Sequence, residues 1–571
     1  MKLKYASLLL LVPALLLAAC AQPVRPTEQD EEPVKEVKLP DVNLTGDLLY
    51  DIMLGEIAGR RGDFQVSVLA LTRAAEKSRD PRLAERATKA AIYAKQYGLG
   101  LKAAKLWVQL SPEDSDALQS LAALYLYRDE PVQAQLYFEK VLKIAEAEKR
   151  LGLVYLEITG IMSRYKQRDA TMEVMQTLAA LYPKSPEGQY SLAHLGLRSG
   201  HMKEGLSAIN RALELRPHWD DAALLKSQIL IASNAGPGVE KFYRGYLDSN
   251  PKATRVRLSF ARYLVDLKRW EVARTEFGKV VESEPEDTET LYALALLSLQ
   301  TGHLEEADAQ FRRVVRLNPH HEQARLYLGQ VAEKRKRYSE AFAWYSGITT
   351  PPNRFEAQIR LGIVLAAQGK LAEARAHLAN TKPKGEQQMV QRALAEDQIL
   401  RDAKQFREAL NVLSKVLKKL PQNNDLLYAR ALVAERLDDL VLHERDLRKI
   451  LKSDPKNAHA LNALGYSLAD HTTRYKEALA LIQQAMELRP NDAFILDSMG
   501  WVQYRMGNHE EAVRYLKQAL AIRNDPEISA HLGEVLWVMG DRQAAEDVWR
   551  RALKTTPDSE PLLDIIKKFK P

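Results

Sequence analysis

Residues able to do chemistry gather in few places along this chain. His320-His321-Glu322 is the densest run of metal-ligand types. Two imidazoles and a carboxylate are donors that zinc accepts, but they must converge on one point, and three consecutive side chains diverge. They follow Pro319, where a polar loop is expected. His201, His303 and His509 each stand just after a turn glycine or Gly-Asn, a recurrent turn position rather than a cluster. Cys20 is the only cysteine, so no internal disulfide, CxxC pair or thiolate zinc site can form. No GxSxG, HExxH, Walker or Rossmann pattern occurs. Gly236-Pro237-Gly238 lacks the strand and helix context of a phosphate loop. The expectation is a chain without catalytic residues, metal or cofactor, and so not an enzyme.

Recognition is the other chemistry on offer. Near the C-terminus a set of aromatic and charged residues recurs at intervals of 33 to 35 residues. It begins with His459, Asn462, Tyr466 and Asp470 and continues with Phe494, Asp497, Trp501, Tyr504 and Arg505. Glu527, Ala530, Glu534 and Trp537 close it. Aromatics beside charges combine anchoring area with directed hydrogen bonds, which is what protein recognition uses. Ten of these residues are the candidate groove: His459, Asn462, Tyr466, Asp470, Asp497, Trp501, Tyr504, Arg505, Glu534 and Trp537. Trp501, Tyr504 and Trp537 fit a second role equally well, packing between repeats. Corresponding upstream positions give Tyr190, His194 and Arg198, then Arg255 and Arg262, Tyr292, and Tyr428, Glu435 and Arg436.

The elements that must carry these residues are set by a period. Pro183, Pro217, Pro251, Pro285 and Pro319 lie 34 residues apart, and Pro421 and Pro455 repeat the interval. Stretches such as "LLSLQTGHLEEADAQFRRVVRLNP" and "LGEVLWVMGDRQAAEDVWRRAL" repeat one pattern. A small residue lets helix A press on helix B (Gly329, Gly362, Gly465, Gly500, Gly533). A glycine caps helix A (Gly200, Gly302, Gly369, Gly507, Gly540). An alanine keeps helix B thin, a large residue four later fills the gap between repeats (Phe277, Phe311, Tyr345, Trp549), and a proline ends helix B. This resembles the tetratricopeptide repeat. The expected fold is an all-α, helix-turn-helix solenoid of roughly fourteen or fifteen repeats from about Leu48 to Pro557. The rhythm breaks at "SNAGPGVEKF" (233–242), "TTPPN" (349–353) and "TKPKGEQQ" (381–388). Repeats are therefore expected over 46–350 and 351–557, with a tail at 558–571. The Lys and Asn positions of a carboxylate clamp are not found.

Composition fits a folded body: 46% hydrophobic and 27% charged residues. A formal charge of +7 from 82 basic and 75 acidic residues is too diluted to predict nucleic-acid binding. Lys2 and Lys4 precede a 13-residue apolar stretch (7–19), too short to span a membrane but suited to a signal peptide over 1–19. Leu17-Ala18-Ala19-Cys20 resembles a bacterial lipobox, which implies lipidation of Cys20, by palmitate or similar chains, as the first mature residue. Ala21 then favours the outer membrane, facing the periplasm. Residues 20–45, rich in Pro and acid, read as a lipidated cysteine and disordered tether.

The stretches "ALNALGYSLADHTTRYKEALALIQQAMELRPNDAFILDSMGWVQYRMGNHEEAVRYLKQAL" and "DPEISAHLGEVLWVMGDRQAAEDVWRRAL", with the lipobox and "LLYDIMLGEIAGRRGDF", resemble the large tetratricopeptide lipoproteins of proteobacteria. That resemblance implies an adaptor. It would bind a periplasmic serine protease of the carboxyl-terminal processing class and present substrates such as cell-wall hydrolases to it. The alternative is an assembly factor for an envelope machine, such as a pilus, secretin or polysaccharide exporter.

Overall fold

The 34-residue period becomes a succession of helical hairpins. The computed structural model describes Pro40 and residues 42–569. Thirty-one helices, numbered α1 to α31 in chain order, run from α1 (Gly46–Arg60) to α31 (Glu560–Phe569), with no strand among the described residues. The expected signal segment, Cys20 and most of the tether lie outside the described residues. Among the described residues no helix is long and apolar enough to cross a membrane.

Each repeat feature acts as its chemistry dictates. Helix α9 (Pro186–Ser199) ends on Gly200 at φ +86°, a left-handed conformation that costs a residue with a Cβ about 1 kcal/mol or more. Several repeats accept that cost: Lys336, Lys404 and Asp438 hold φ 56–58° at the equivalent turn. On α17 (Glu322–Lys334), a Cβ added to Gly329 would lie 2.2 Å from the Tyr345 ring. On α29 (Pro526–Val538), one added to Gly533 would lie 1.9 Å from the Trp549 indole nitrogen. The large residue of helix B thus plugs its own repeat's glycine. It also reaches the next repeat, since Phe311 stacks on Tyr327 at 5.4 Å. Helix α24 (Leu440–Ser453) stops before Pro455, which has no N–H to continue the ladder.

The chain divides into two compact units, residues 1–302 and 303–571, not at the expected 350. The "TTPPN" break shortens α18 (Tyr338–Ser346) to nine residues, yet α18 still packs on α19 (Asn353–Ala367), so stacking continues through it. Within the expected tail at 558–571, residues 560–569 form α31. Leu562, Ile565, Ile566 and Phe569 recur at helical spacing. They give α31 an apolar side that packs on α29, with Leu562 fully buried.

Candidate partner-binding face

In the second unit the groove residues ride on three successive first-of-hairpin helices: α25 (Ala458–His471), α27 (Ala493–Arg505) and α29. Each starts at an Asx cap. The side chains of Asn457, Asp492 and Asp525 accept backbone N–H groups of their helices' first turns, which satisfies otherwise orphaned donors. Capping fixes where each helix begins, and so which residues turn inward.

Those residues form a linked polar core. His531 Nδ1 lies 2.9 and 3.1 Å from the two Asp497 oxygens, across α29 and α27. The Trp501 ring stacks on the His531 ring at 4.3 Å, and the Trp501 indole N–H donates to Asp470 at 3.1 Å. Arg505 donates to the Asp470 backbone oxygen at 2.6 Å and to its carboxylate at 3.2 Å. The Tyr504 hydroxyl donates to Glu534 at 3.3 Å, and Lys568 of α31 donates to the same oxygen at 2.9 Å. The Tyr466 hydroxyl, on α25, is 3.4 Å from His531 Nε2.

The charges explain one another. Burial works against a charged His531, but the Asp497 carboxylate, with Glu527 and Glu534 nearby, overrides it and lifts the imidazole to about 9. His531 is therefore a cation at neutral pH. Burial raises the Glu527 carboxyl above its usual range. Burial, then the carboxylates of Asp470, Glu527, Asp497 and Glu435, raises the Tyr466 hydroxyl. The basic groups of this core are consumed: Arg505 by Asp470, His531 by Asp497, Lys568 by Glu534. Left open are acceptors. The buried Asn462 Oδ1 has no hydrogen-bond partner, and the Glu435 and Glu527 carboxylates make no ion pair among the described residues.

The ten expected residues separate into two groups. His459 is exposed, with its ring 6.4 Å from that of Tyr428. Asn462, Tyr466, Asp470, Tyr504 and Arg505 are half-buried and line the inner side. Asp497 and Glu534 are buried in the pairs described. Trp501 is 7% exposed and belongs to the core. Trp537 stacks on Trp549 at 5.7 Å and lies 5.8 Å from Phe569, under α31. For both tryptophans packing between repeats is therefore the role, because neighbouring rings cover the faces an anchor would offer. Two contributors were not expected, His531 and the α31 pair Lys568 and Phe569. His531 sits at a helix position where α25 and α27 carry Ala463 and Ser498; an ionisable residue in that series was the available signal.

In the His320-His321-Glu322 run one imidazole has a structural role. His321 Nδ1 accepts the Ala324 N–H at 3.1 Å as a helix cap. Among the described residues no group of three or more His, Cys, Asp or Glu is placed to hold a metal ion. In the first unit Tyr190 packs on Trp219 at 4.8 Å, and Arg255 pairs with Asp221 at 2.9 Å.

A stack of helical hairpins with a polar, aromatic face is a repeat scaffold suited to protein–protein interaction. The chain belongs to the tetratricopeptide-repeat proteins. Tetratricopeptide-repeat family models match residues 456–525, and also 258–307, 292–353 and 498–560. The chain is 33% identical over 536 residues to the TPR repeat-containing protein PA4667 of Pseudomonas aeruginosa, covering 92% of this chain and 90% of that one. It is 29% identical over 128 residues to the type IV pilus assembly protein PilF of the same species, covering 22% of this chain and 50% of that protein. It is 22% identical over 431 residues to cellulose synthase operon protein C of Pseudomonas fluorescens, covering 72% of this chain and 32% of that one.

Proposed function

We propose that this chain is a non-enzymatic scaffold, tied by lipid at Cys20 to the periplasmic side of the outer membrane. It acts as an adaptor that holds a carboxyl-terminal processing serine protease beside its protein substrates, cell-wall hydrolases among them. Such an adaptor needs no chemistry of its own. Holding two partners on one surface raises their mutual effective concentration, to the millimolar range for short links. The observation that carries a binding role is the face of α25, α27 and α29, where Arg505, His531 and Lys568 are each paired with a carboxylate while the Glu527 carboxylate makes no ion pair among the described residues. The complementary partner surface offers donors, Lys and Arg above all.

A second reading, an assembly factor for an envelope machine, is favoured by one specific observation, the 128-residue likeness to a pilus assembly protein. One experiment separates the two. The mature protein is used to capture partners from a detergent-solubilised envelope extract, and these are identified by mass spectrometry. Enrichment of a carboxyl-terminal processing protease supports the adaptor. Enrichment of pilus, secretin or exporter components without the protease overturns it in favour of assembly.

A further inference from the structure

Helix α1 carries apolar residues on both sides, with one carboxylate, Asp51, buried on the side of α2 (Phe64–Ser78) and paired with Arg73 and Lys77. Leu48, Gly55 and Ala58 face α2 and are buried. On the other side Leu49 is 43% exposed, Tyr50 64%, Met53 53% and Ile57 44%. A helix hydrophobic all round is normally a buried helix. Comparison with later repeats locates the open side. Counted from the residue that presses on helix B, Tyr50, Met53 and Ile57 match Ile495, Ser498 and Val502 of α27, and Ile528, His531 and Val535 of α29. All six are buried, and in each case a preceding hairpin packs on the helix. No helix precedes α1 among the described residues. End repeats of such arrays ordinarily carry a polar outer face; this one does not.

We propose that the open side of α1 lies on the lipid surface to which the chain is tied, with Leu49, Tyr50, Met53 and Ile57 at the boundary of headgroups and acyl chains. The proposal rests on the acylation of Cys20. Twenty-five residues separate Cys20 from Gly46, a length that reaches roughly 30 Å as a coil and about 80 Å as an extended polyproline helix. The stripe is thus held within reach of the bilayer whenever the anchor is inserted, so docking is an intramolecular step. Charge agrees. Arg60 and Arg61 are exposed at the end of α1 and make no ion pair among the described residues, leaving them to anionic headgroups. The partly exposed Glu56 is neutralised by Arg86 at 2.5 Å. A second copy of the chain is a poorer occupant. A stable pair buries about 800 Å² on each partner, more than four half-exposed side chains can offer.

The single cysteine makes a direct test possible. Acylated full-length protein carrying Met53→Cys is prepared from membranes. The Cys20 sulfur is then already in a thioether, so a nitroxide label attaches only at position 53, and the intact mass checks the acylation. In vesicles of mixed phosphatidylethanolamine and phosphatidylglycerol, the label's accessibility to oxygen relative to an aqueous nickel chelate is measured. Glu173→Cys, exposed on α8 (Arg168–Leu181), serves as reference. The expected ratio at 53 is several-fold above that at 173, about the contrast between an interfacial and an aqueous site. Tyr50→Cys gives the same result independently. A chelate-accessible label at both 50 and 53 in acylated protein overturns the docking and leaves the anchor standing. Spin–spin broadening between labels at 53 assigns the face to a second copy and overturns it too. A free Cys20 thiol in the intact mass removes the anchor, and the docking with it.

Discussion

One buried carboxylate should weaken the second unit in a pH-dependent way. Asp397 lies on α21 (Glu386–Asp402), in the slot that Gly362 fills 35 residues earlier and Ala431 fills 34 later. It is fully buried. One oxygen accepts from Arg401 Nε at 2.9 Å, and Oδ1 has no hydrogen-bond partner. Burial, opposed by Arg401, raises its pKa from 3.8 to about 6. The sign follows from linkage. A group whose folded pKa is raised contributes stability that is complete below the unfolded value, 3.8, and is lost as pH rises through 6. A shift of roughly 2 units at 1.36 kcal/mol each makes the loss at pH 8 at most about 3 kcal/mol. Asp397→Ala removes the carboxyl and leaves a residue the slot accepts in other repeats, while Arg401 keeps access to water. The variant should be more stable by up to about 3 kcal/mol at pH 8, close to a hundredfold in local opening, and the gain should vanish towards pH 4. Hydrogen exchange of α21 and α22 (Phe406–Leu417) reads this directly, because opening in a repeat array is local. Equal protection in the two proteins at pH 8, or a difference that ignores pH, would refute the reasoning.

Three further outcomes follow from the same geometry. Asp497→Asn leaves the His531 imidazolium buried without its counter-charge and should cost about 3–5 kcal/mol in unfolding experiments at pH 6. In the native protein the contribution of that pair is complete below pH 6.5 and is lost as pH rises through about 9; the raised carboxyl of Glu527 adds in the same direction, while Tyr466 of α25 meets the ring and Glu534, on the same helix as His531, is paired with Lys568 of α31. Protection of α29 should therefore fall between pH 6.5 and 9, and fall much less in His531→Gln, where of this pair of groups only Glu527 still titrates. Gly533→Ala drives a methyl into the Trp549 ring and should cost about 1–3 kcal/mol, read by thermal melting, whereas Gly46→Ala, with open space around it, should be neutral within about 0.5 kcal/mol. Glu435→Gln with Glu527→Gln should weaken capture of a basic partner at least about tenfold with helicity unchanged by circular dichroism; undiminished capture would move the binding face away from α25–α29.

The architecture was legible because each repeat feature is a local necessity. The prolines at 34-residue spacing, Gly533 where helix A presses on helix B and Gly200 at the turn could each be read from type and interval alone; that Trp549 plugs the glycine of its own repeat came from the structure. The inner face was half legible. Position on a helix marked Tyr466, Asp470, Tyr504 and Arg505 for one shared face, and the structure shows them half-buried, with Tyr504 bonded to Glu534 and Arg505 to Asp470. It left open whether Trp501 is an anchor or packs between repeats, because the ring covering it belongs to His531, one repeat further on. Nor did it predict helix α31. The end of the array departs from the repeat consensus, and only its apolar spacing marks it as a helix.

Contacts that skip a repeat bear most on how the second unit works. In the simplest account of such arrays each repeat touches only its neighbours, so a groove flexes by small adjustments at every joint. Here Tyr466 of α25 reaches His531 of α29 over the intervening α27, and Lys404 meets Glu560 at 2.6 Å across 156 residues. The second pair is exposed on both sides and contributes little to stability. The first is different, since it joins a charged core that Asp470, Trp501 and Glu534 hold from three helices. A face braced in this way has less conformational freedom to lose when a partner docks, and lost freedom is a main cost of association. Upstream, the short ten-residue α20 (Leu371–Asn380) and the raised, buried carboxylate of Asp397 should make the softer joint. Bending of the second unit should therefore concentrate there while the braced inner face of α25, α27 and α29 moves as one piece. That division lets a scaffold adapt its reach without remaking its binding surface.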